Sequence, residues 1–238
     1  IKKSVTAENT GTDEIVFEKL MSGDINLPGT EPYTIRNALG NWGTEYRAVD
    51  TVLKGGSLVF ESRRGTSGHS NMPNFVAWRQ ADENSGAVYF ANLIWSGSFS
   101  VSLSRDIRGI TRAVLGIQDF DFEYVLKGGE GFTAPAIIFG KTEGFGDMSR
   151  QLNRYGIEYH LPRNFAKKPL PVLYNSWEAT DFRVSTAAQS ALAKKAAACG
   201  CELFVMDDGW FGERKDDHAG LGDWFVNAEK FPNGLDEL

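Results

Sequence analysis

The stretch Cys201–Trp210 reads C-E-L-F-V-M-D-D-G-W. Four apolar residues, Leu203–Met206, run directly into two aspartates, a glycine and a tryptophan. A short apolar run of this kind is the pattern of a buried strand in a parallel sheet. Its polar end marks where the strand leaves the sheet, and in α/β barrels the chemistry sits at that end. Adjacent acids beside an indole suit a sugar. Carboxylates accept hydroxyl hydrogen bonds, and the ring stacks on the apolar face of the pyranose.

Upstream lies a matching unit. Leu170–Tyr174 is a second short apolar strand, ending in Asn175-Ser176-Trp177-Glu178. Ser185 and Thr186 cap a helix predicted through the alanine-rich stretch to about Ala198, and Gly200 stops it. Strand, helix and strand make the unit from which parallel sheets and barrels are built. Both strands end in polar and aromatic residues on one edge. Downstream, Trp210-Phe211, Leu221–Trp224 and Lys230–Gly234 form an aromatic-rich loop. Such a loop fits carbohydrate at a barrel mouth, and Trp224 equally fits packing of that loop.

Up to about residue 165 the pattern is β. Ser57–Ser62, Gly86–Trp95, Ser96–Leu103 with a bulge or turn at Gly97, Thr111–Gly116, Phe120–Leu126 and Ala136–Gly140 read as strands. Lys127–Glu130 is a turn. Spacing and glycine punctuation predict a sandwich. Gly146–His160 breaks the pattern: Met148, Leu152, Tyr155 and Tyr159 recur at helical steps. Leu161–Pro169, with two prolines and a basic cluster, reads as a linker. The expected domains are a sandwich over 1–165 and the start of a barrel over 166–238.

Composition narrows the function. Among 238 residues, 42% are hydrophobic and the net charge is −6, which argues against nucleic acid, whose backbone demands a basic face. No apolar run approaches the ~20 residues of a membrane helix, so no membrane partner is expected. The opening I-K-K-S-V-T has no signal-peptide character and no initiator methionine, the mark of a piece of a longer protein. Cys199 and Cys201, in C-x-C spacing, read as small buried residues flanking Gly200; a reducing cytoplasm fits them. Histidines 69, 160 and 218 show no ligand spacing, so neither metal nor cofactor is expected.

Candidate roles follow. Asp207 and Asp208 point to opposite faces on a regular strand, but twist at its end lets both reach one ligand. They are not an acid–base pair, since the two carboxyls of a retaining glycosidase lie roughly 5 Å apart across the scissile bond, normally on different strands. Hydrogen-bond acceptors for sugar hydroxyls is the better role; a cap or an Asp-Gly turn is the alternative. Trp177 is a sugar contact or barrel packing, and Glu178 pairs with a nearby base. Glu61–Ser67 binds an anion or forms a turn whose arginines pair with acids of the other domain. Trp42 faces a neighbouring active site or a core.

N-S-W-E-A-T-D-F at Asn175–Phe182, L-F-V-M-D-D-G-W-F-G at Leu203–Gly212 and L-G-D-W-F-V-N-A-E-K-F-P-N-G-L at Leu221–Leu235 resemble the large bacterial α-galactosidases related to raffinose synthases. E-S-R-R-G-T-S-G-H at Glu61–His69, D-M-S-R at Asp147–Arg150 and the G-T-D segment from Gly11 agree in order. The resemblance implies a β-supersandwich followed by a (β/α)8 barrel and retaining hydrolysis of terminal α-galactose from melibiose- or raffinose-type sugars. It places Asp207 and Asp208 on galactose hydroxyls and Trp177 in the lining of that subsite; Trp210, Trp224 and Trp42 are further candidate contacts. It also implies a homotetramer. The family's nucleophile sits in a K-W-D-type segment, and no K-W-D occurs in this sequence; its acid/base aspartate lies further on still. No catalytic residue is therefore assigned here, and this chain alone is expected to hydrolyse nothing. The first part of the sandwich is also expected to be missing. Asn175-Ser176-Trp177 stands where N-N-W is commoner, and Asp181 where an aromatic is usual. A galactose transglycosylase and a non-catalytic carbohydrate-binding sandwich are the alternatives.

Overall fold

Along Tyr33–Leu39, Phe99–Arg105 and Thr111–Ile117, buried positions recur at every second residue. That period belongs to strands with one face on a core and one toward water. The structure, a computed structural model, describes residues 1–166, 168–218 and 220–238. It divides into two units, Ile1–Gly156 and Ile157–Leu238.

The first unit contains β1 (Lys2–Lys3), β2 (Thr6–Glu8), β3 (Ile15–Phe17), β4 (Met21–Leu27), β5 (Tyr33–Leu39), β6 (Arg47–Leu53) and β7 (Gly56–Ser62). It continues with β8 (Asn74–Trp78), β9 (Ala87–Leu93), β10 (Phe99–Arg105), β11 (Thr111–Ile117), β12 (Tyr124–Leu126), β13 (Gly131–Thr133), β14 (Ile137–Glu143) and helix α1 (Gly144–Tyr155). A six-stranded sheet runs β1-β14-β9-β8-β5-β6, and a four-stranded sheet runs β4-β11-β10-β7. Every pairing in both is antiparallel. One apolar cluster joins them, with Ile35, Phe75 and Leu93 from the first sheet and Phe99, Leu103 and Leu115 from the second. Two glycines show how close the packing is. A Cβ on Gly23 would lie 2.1 Å from Ile137 Cδ1, and one on Gly140 would meet the ring of its cross-strand partner Phe90 at 2.9 Å. These sheets are the expected sandwich.

Several boundaries differ from expectation. Phe120–Leu126 is a strand only from Tyr124, because Asp121 turns the chain at a φ of 55°. The helix expected from Gly146 starts two residues earlier and passes into a π-helical turn at Gly156–His160. Of the expected linker, Lys167 lies outside the described residues; Arg163–Ala166 is a turn. Arg63 pairs with Glu61 at 2.9 Å and covers the Phe120 ring, so this arginine finds its acid within its own unit rather than in the other domain.

The second unit is the predicted strand–helix–strand. β15 (Leu173–Asn175) and β16 (Leu203–Val205) pair in parallel, in register from Leu173↔Leu203 to Asn175↔Val205. A single helical turn, α2 (Trp177–Thr180), follows β15, so Trp177 opens a helix rather than closing a strand. Helix α3 (Thr186–Ala198) is capped by Ser185, whose Oγ accepts the Ala188 N–H at 3.3 Å. Gly200, at a φ of +89°, ends the helical segment. Two expectations fail on burial. Leu173 and Leu203 are exposed, 51% and 43%, because a two-stranded sheet cannot cover its own faces. Cys199 is exposed and Cys201 half-buried, since the first is the C-cap of α3; both thiols are free.

Candidate functional site

The C-terminal ends of β15 and β16 meet through side chains. Asn175 Nδ2 donates to Asp207 Oδ2 at 2.5 Å, and Asn175 Oδ1 accepts the Trp177 N–H at 2.8 Å. Ser176, fully buried, accepts the Asp207 N–H on its Oγ at 3.2 Å and donates its own N–H to the Val205 carbonyl at 3.0 Å. Asp207 Oδ1 in turn accepts the Asp208 N–H at 2.7 Å. The two strand ends are thus one hydrogen-bonded edge, with Asp207 at its centre.

Asp208 is held differently. Its Oδ1 accepts the Gly209 N–H at 2.7 Å, and Arg214 Nε approaches Oδ1 and Oδ2 at 2.8 and 2.9 Å. The Arg214 guanidinium beside Asp208 holds its carboxyl below the usual aspartate range, with the Gly209 N–H and the Lys230 charge adding to the effect. Arg214 is buried and sits over the rings of Phe182 and Phe211, at 5.4 and 5.9 Å. Gly209 must be glycine: its φ is +93°, and a Cβ would lie 2.7 Å from the Phe182 carbonyl oxygen.

The loop after β16 closes on itself through polar side chains. Lys230 Nζ donates to the carbonyls of Phe182, Gly209 and Arg214 at 2.8, 2.7 and 3.0 Å. Burial pushes its ammonium down in pKa, with Lys215 adding to that and Asp208 opposing it. Asn227, buried, donates to the Gly212 carbonyl at 2.7 Å and accepts the N–H groups of Glu229 and Lys230. Phe211 and Val226 form an antiparallel bridge. The bridge gathers three rings. Trp210 and Trp224 lie 6.5 Å apart at an interplanar angle of 29°, and Phe211 tilts against Trp224 at 4.6 Å.

The candidate residues therefore separate. Asp207 and Asp208 share the strand edge, half-buried, and each already has a protein partner. Trp177 is half-buried and packs edge-on against Phe182 at 4.9 Å. Trp210 and Trp224 form the aromatic group of the loop. Trp42 is 87% exposed in the turn between β5 and β6, which removes the core alternative for it. Arg214, Lys230 and Asn227 carry the geometry without having been assigned a role from sequence; a lone arginine followed by K-D-D, six residues after Asp208, is the one signal for the first. Among the described residues, Asp216, Asp217 and His218 bring three potential cation ligands within 4.8 Å of one another, all exposed, as such acidic groups commonly are without an ion.

Similarity to known proteins gives the family. Residues 1–127 match the glycosyl hydrolase family 36 N-terminal domain, and residues 131–238 match melibiase. The chain belongs to glycosyl hydrolase family 36. The α-galactosidase AgaA of Geobacillus stearothermophilus is 38% identical over 242 residues, which take in 100% of this chain and 33% of that protein. The bifunctional α-galactosidase/sucrose kinase AgaSK of Mediterraneibacter gnavus is 37% identical over 100% of this chain and 26% of its own length. Among solved structures, the α-galactosidase from Lactobacillus brevis superposes with a TM-score of 0.90 at 32% identity, over 96% of this chain and 31% of that one. A variant of Geobacillus stearothermophilus AgaA in complex with raffinose gives 0.92 at 35%, over 99% of this chain and 33% of that one. The chain spans about a third of the length of the curated relatives it matches first.

Proposed function

We propose that the full-length protein is a retaining α-galactosidase that releases terminal α-linked galactose from melibiose- and raffinose-type oligosaccharides. In this reading Asp207 and Asp208 are ionised acceptors for galactose hydroxyls, and Trp177 lines the same subsite. Trp210 and Trp224 offer ring faces to the rest of the oligosaccharide. The nucleophile and the acid/base aspartate belong to segments outside these 238 residues, which hold no K-W-D. The observation that carries the reading is the shared edge of β15 and β16, where the Asn175–Asp207 bond sets Asp207 and its neighbour Asp208 at the C-terminal ends of parallel strands. Relatives solved with raffinose and stachyose support the substrate class.

The test is hydrolysis of p-nitrophenyl α-galactoside and raffinose by the full-length protein, with the product anomer followed by NMR. Galactose released first as the α-anomer is the expected result, and Asp207→Ala and Asp208→Ala raise KM. Absence of any galactose release removes the reading. The 238-residue chain alone turns over neither substrate. The free thiols of Cys199 and Cys201 favour a reducing cytoplasm. The resemblance favours a homotetramer in which Trp42, bare on its hairpin, reaches a neighbouring copy. Light scattering of the full-length protein gives four copies if this holds.

A further inference from the structure

We propose that Arg214 is a positioning residue of this site: its buried guanidinium clamps both carboxylate oxygens of Asp208, so that Asp208 meets a galactose hydroxyl as an acceptor of fixed orientation. The proposal rests on the galactoside-binding reading given above.

Three observations carry it. First, among the described residues the pair is unlike the other arginine–carboxylate pairs, which are all exposed, Arg108–Asp106 and Arg183–Asp181 most of all. Arg36–Asp50, Arg63–Glu61 and Arg112–Asp24 are surface pairs, with side chains 38% and 40%, 49% and 34%, and 55% and 48% exposed. Arg214 is 5% exposed and Asp208 18%. Removing a guanidinium from water is costly, and a buried ion pair is a weak source of net stability. A pair whose cation is hidden while its acid still reaches solvent fits a role in orienting that acid. Second, the cation is itself fixed. Its Cζ lies over the rings of Phe182 and Phe211, and Lys230 holds the Arg214 carbonyl together with those of Gly209 and Phe182. Third, the contact answers a geometric problem. β16 ends at Val205, so no strand pairing orients Asp208. The Arg214 contact and the Gly209 N–H together hold the Asp208 carboxylate at the start of the loop, while Asn175 holds Asp207 on the strand edge.

The charged groups around Asp208 are Arg214, Lys230 and its neighbour Asp207; Asp216 and Asp217 act on Arg214 in turn. Taking away Arg214 removes the strongest of the influences that keep Asp208 ionised.

The test compares Arg214→Met and Arg214→Lys with the parent, in full-length protein for kinetics and in the 238-residue chain for titration. Arg214→Met is expected to raise KM for p-nitrophenyl α-galactoside about 10- to 100-fold, the range of a lost hydrogen bond to a charged group, with kcat changed by less than about threefold. The acid limb of 1/KM moves to higher pH, since Asp208 then protonates more readily. Arg214→Lys recovers part of both. A merely structural role for Arg214 lowers Tm and leaves the pH profile where it was. The second readout needs no activity: carbon-13 NMR of labelled aspartate carboxyls, with Asp208 assigned by Asp208→Asn. Asp208 titrates below the ordinary aspartate range in the parent and higher in Arg214→Met. If Asp208 titrates at the same pH in parent and variant, or KM and its acid limb do not move, the proposal is overturned. An inactive parent in which the Asp208 titration still shifts with Arg214 refutes the galactosidase reading and leaves the clamp standing.

Discussion

The two units of this chain are held by different forces. In the sandwich, side chains such as Ile35, Ala77, Phe99, Val101 and Leu103 are wholly removed from water, and the sheets close on them. In Ile157–Leu238 the strands are three residues long and their leucines are exposed. There the loop takes its shape from Lys230 and Asn227, each bonded to three backbone groups, and from Arg214 on the Asp208 carboxylate. Apolar packing is non-directional and tolerates approximate partners, whereas hydrogen bonds fix direction. Under the proposed function, the unit that aims two carboxylates at galactose places its polar groups in the scaffold itself.

The contrast breaks most visibly in the sandwich core. Phe99, at 0% exposure, lies between the sheets. Phe99→Ala is expected to cost about 3–5 kcal/mol, measured as a lower midpoint in equilibrium urea unfolding. The like-for-like pair is Val101→Ala, at 0% exposure between the sheets, and Val184→Ala, the buried valine before α3, where a smaller loss is expected because the short strands and exposed leucines around it close less fully on the side chain. Equal losses at the two sites would mean that the units do not differ in the way described.

Lys230 sharpens the other side. Lys230→Met keeps the aliphatic stem and removes three charged hydrogen bonds to carbonyls. Leaving those carbonyls without a partner is expected to cost about 2–4 kcal/mol, confined to the loop. Hydrogen exchange of Gly209, Gly212 and Asn227 amides accelerates while those of β10 and β11 do not. Acceleration throughout the chain would show instead that the loop and the sandwich unfold as one.

The contrast also explains what can be read from sequence. The strand–helix–strand unit is legible because three local signals agree: an apolar run, the Ser185 cap and the Gly200 stop. β9, β11 and β14 are legible from apolar and β-branched runs, and β10 from the strict alternation of F-S-V-S-L. β1, β2, β3 and β13 are not, since two or three residues cannot display a period, and β12 is read four residues too long at its start. β6 also escapes notice, as R-A-V-D-T-V-L on a sheet edge shows little burial and so little patterning. In the site, the acids themselves stand out after the run Leu203–Met206. Arg214 does not, because it reaches Asp208 only through a loop turn that no spacing rule encodes, and neither does Lys230, which holds backbone carbonyls around it.

Acid titration asks whether the polar scaffold depends on charge. The folded pKa of Asp208 is depressed, so its contribution to stability is present above the unfolded aspartate value near 3.9 and is lost as pH falls through the folded value below it. Fluorescence of Trp210 and Trp224 is therefore expected to stay level from pH 7 to about pH 4 and to change only in more acid solution. In Arg214→Met the change begins at higher pH. A transition centred near pH 6 in the parent would implicate a group other than Asp208.

The smallest effect is expected at Trp42. Its ring is 87% exposed, and the turn that carries it is set by other groups: the Thr44 N–H donates to the Asn41 carbonyl at 2.9 Å, and the Gly43 N–H to Glu45 Oε1 at 2.9 Å. Trp42→Ala removes neither bond and opens no cavity, so stability changes by less than about 0.5 kcal/mol and Tm is nearly unmoved. An indole so exposed contributes little to its own fold, and a single bare aromatic on a surface is ordinary. Its value as a probe follows from that. Because the substitution leaves the sandwich intact, any loss of galactoside affinity or of higher assembly in the full-length protein reports on contacts the ring makes outside this sandwich and supports the proposed reach to another copy. A melting temperature that drops by many degrees would show that Trp42 is packed within its own chain after all, and the distinction between a self-sufficient core and an outward-reaching surface would fail at that hairpin.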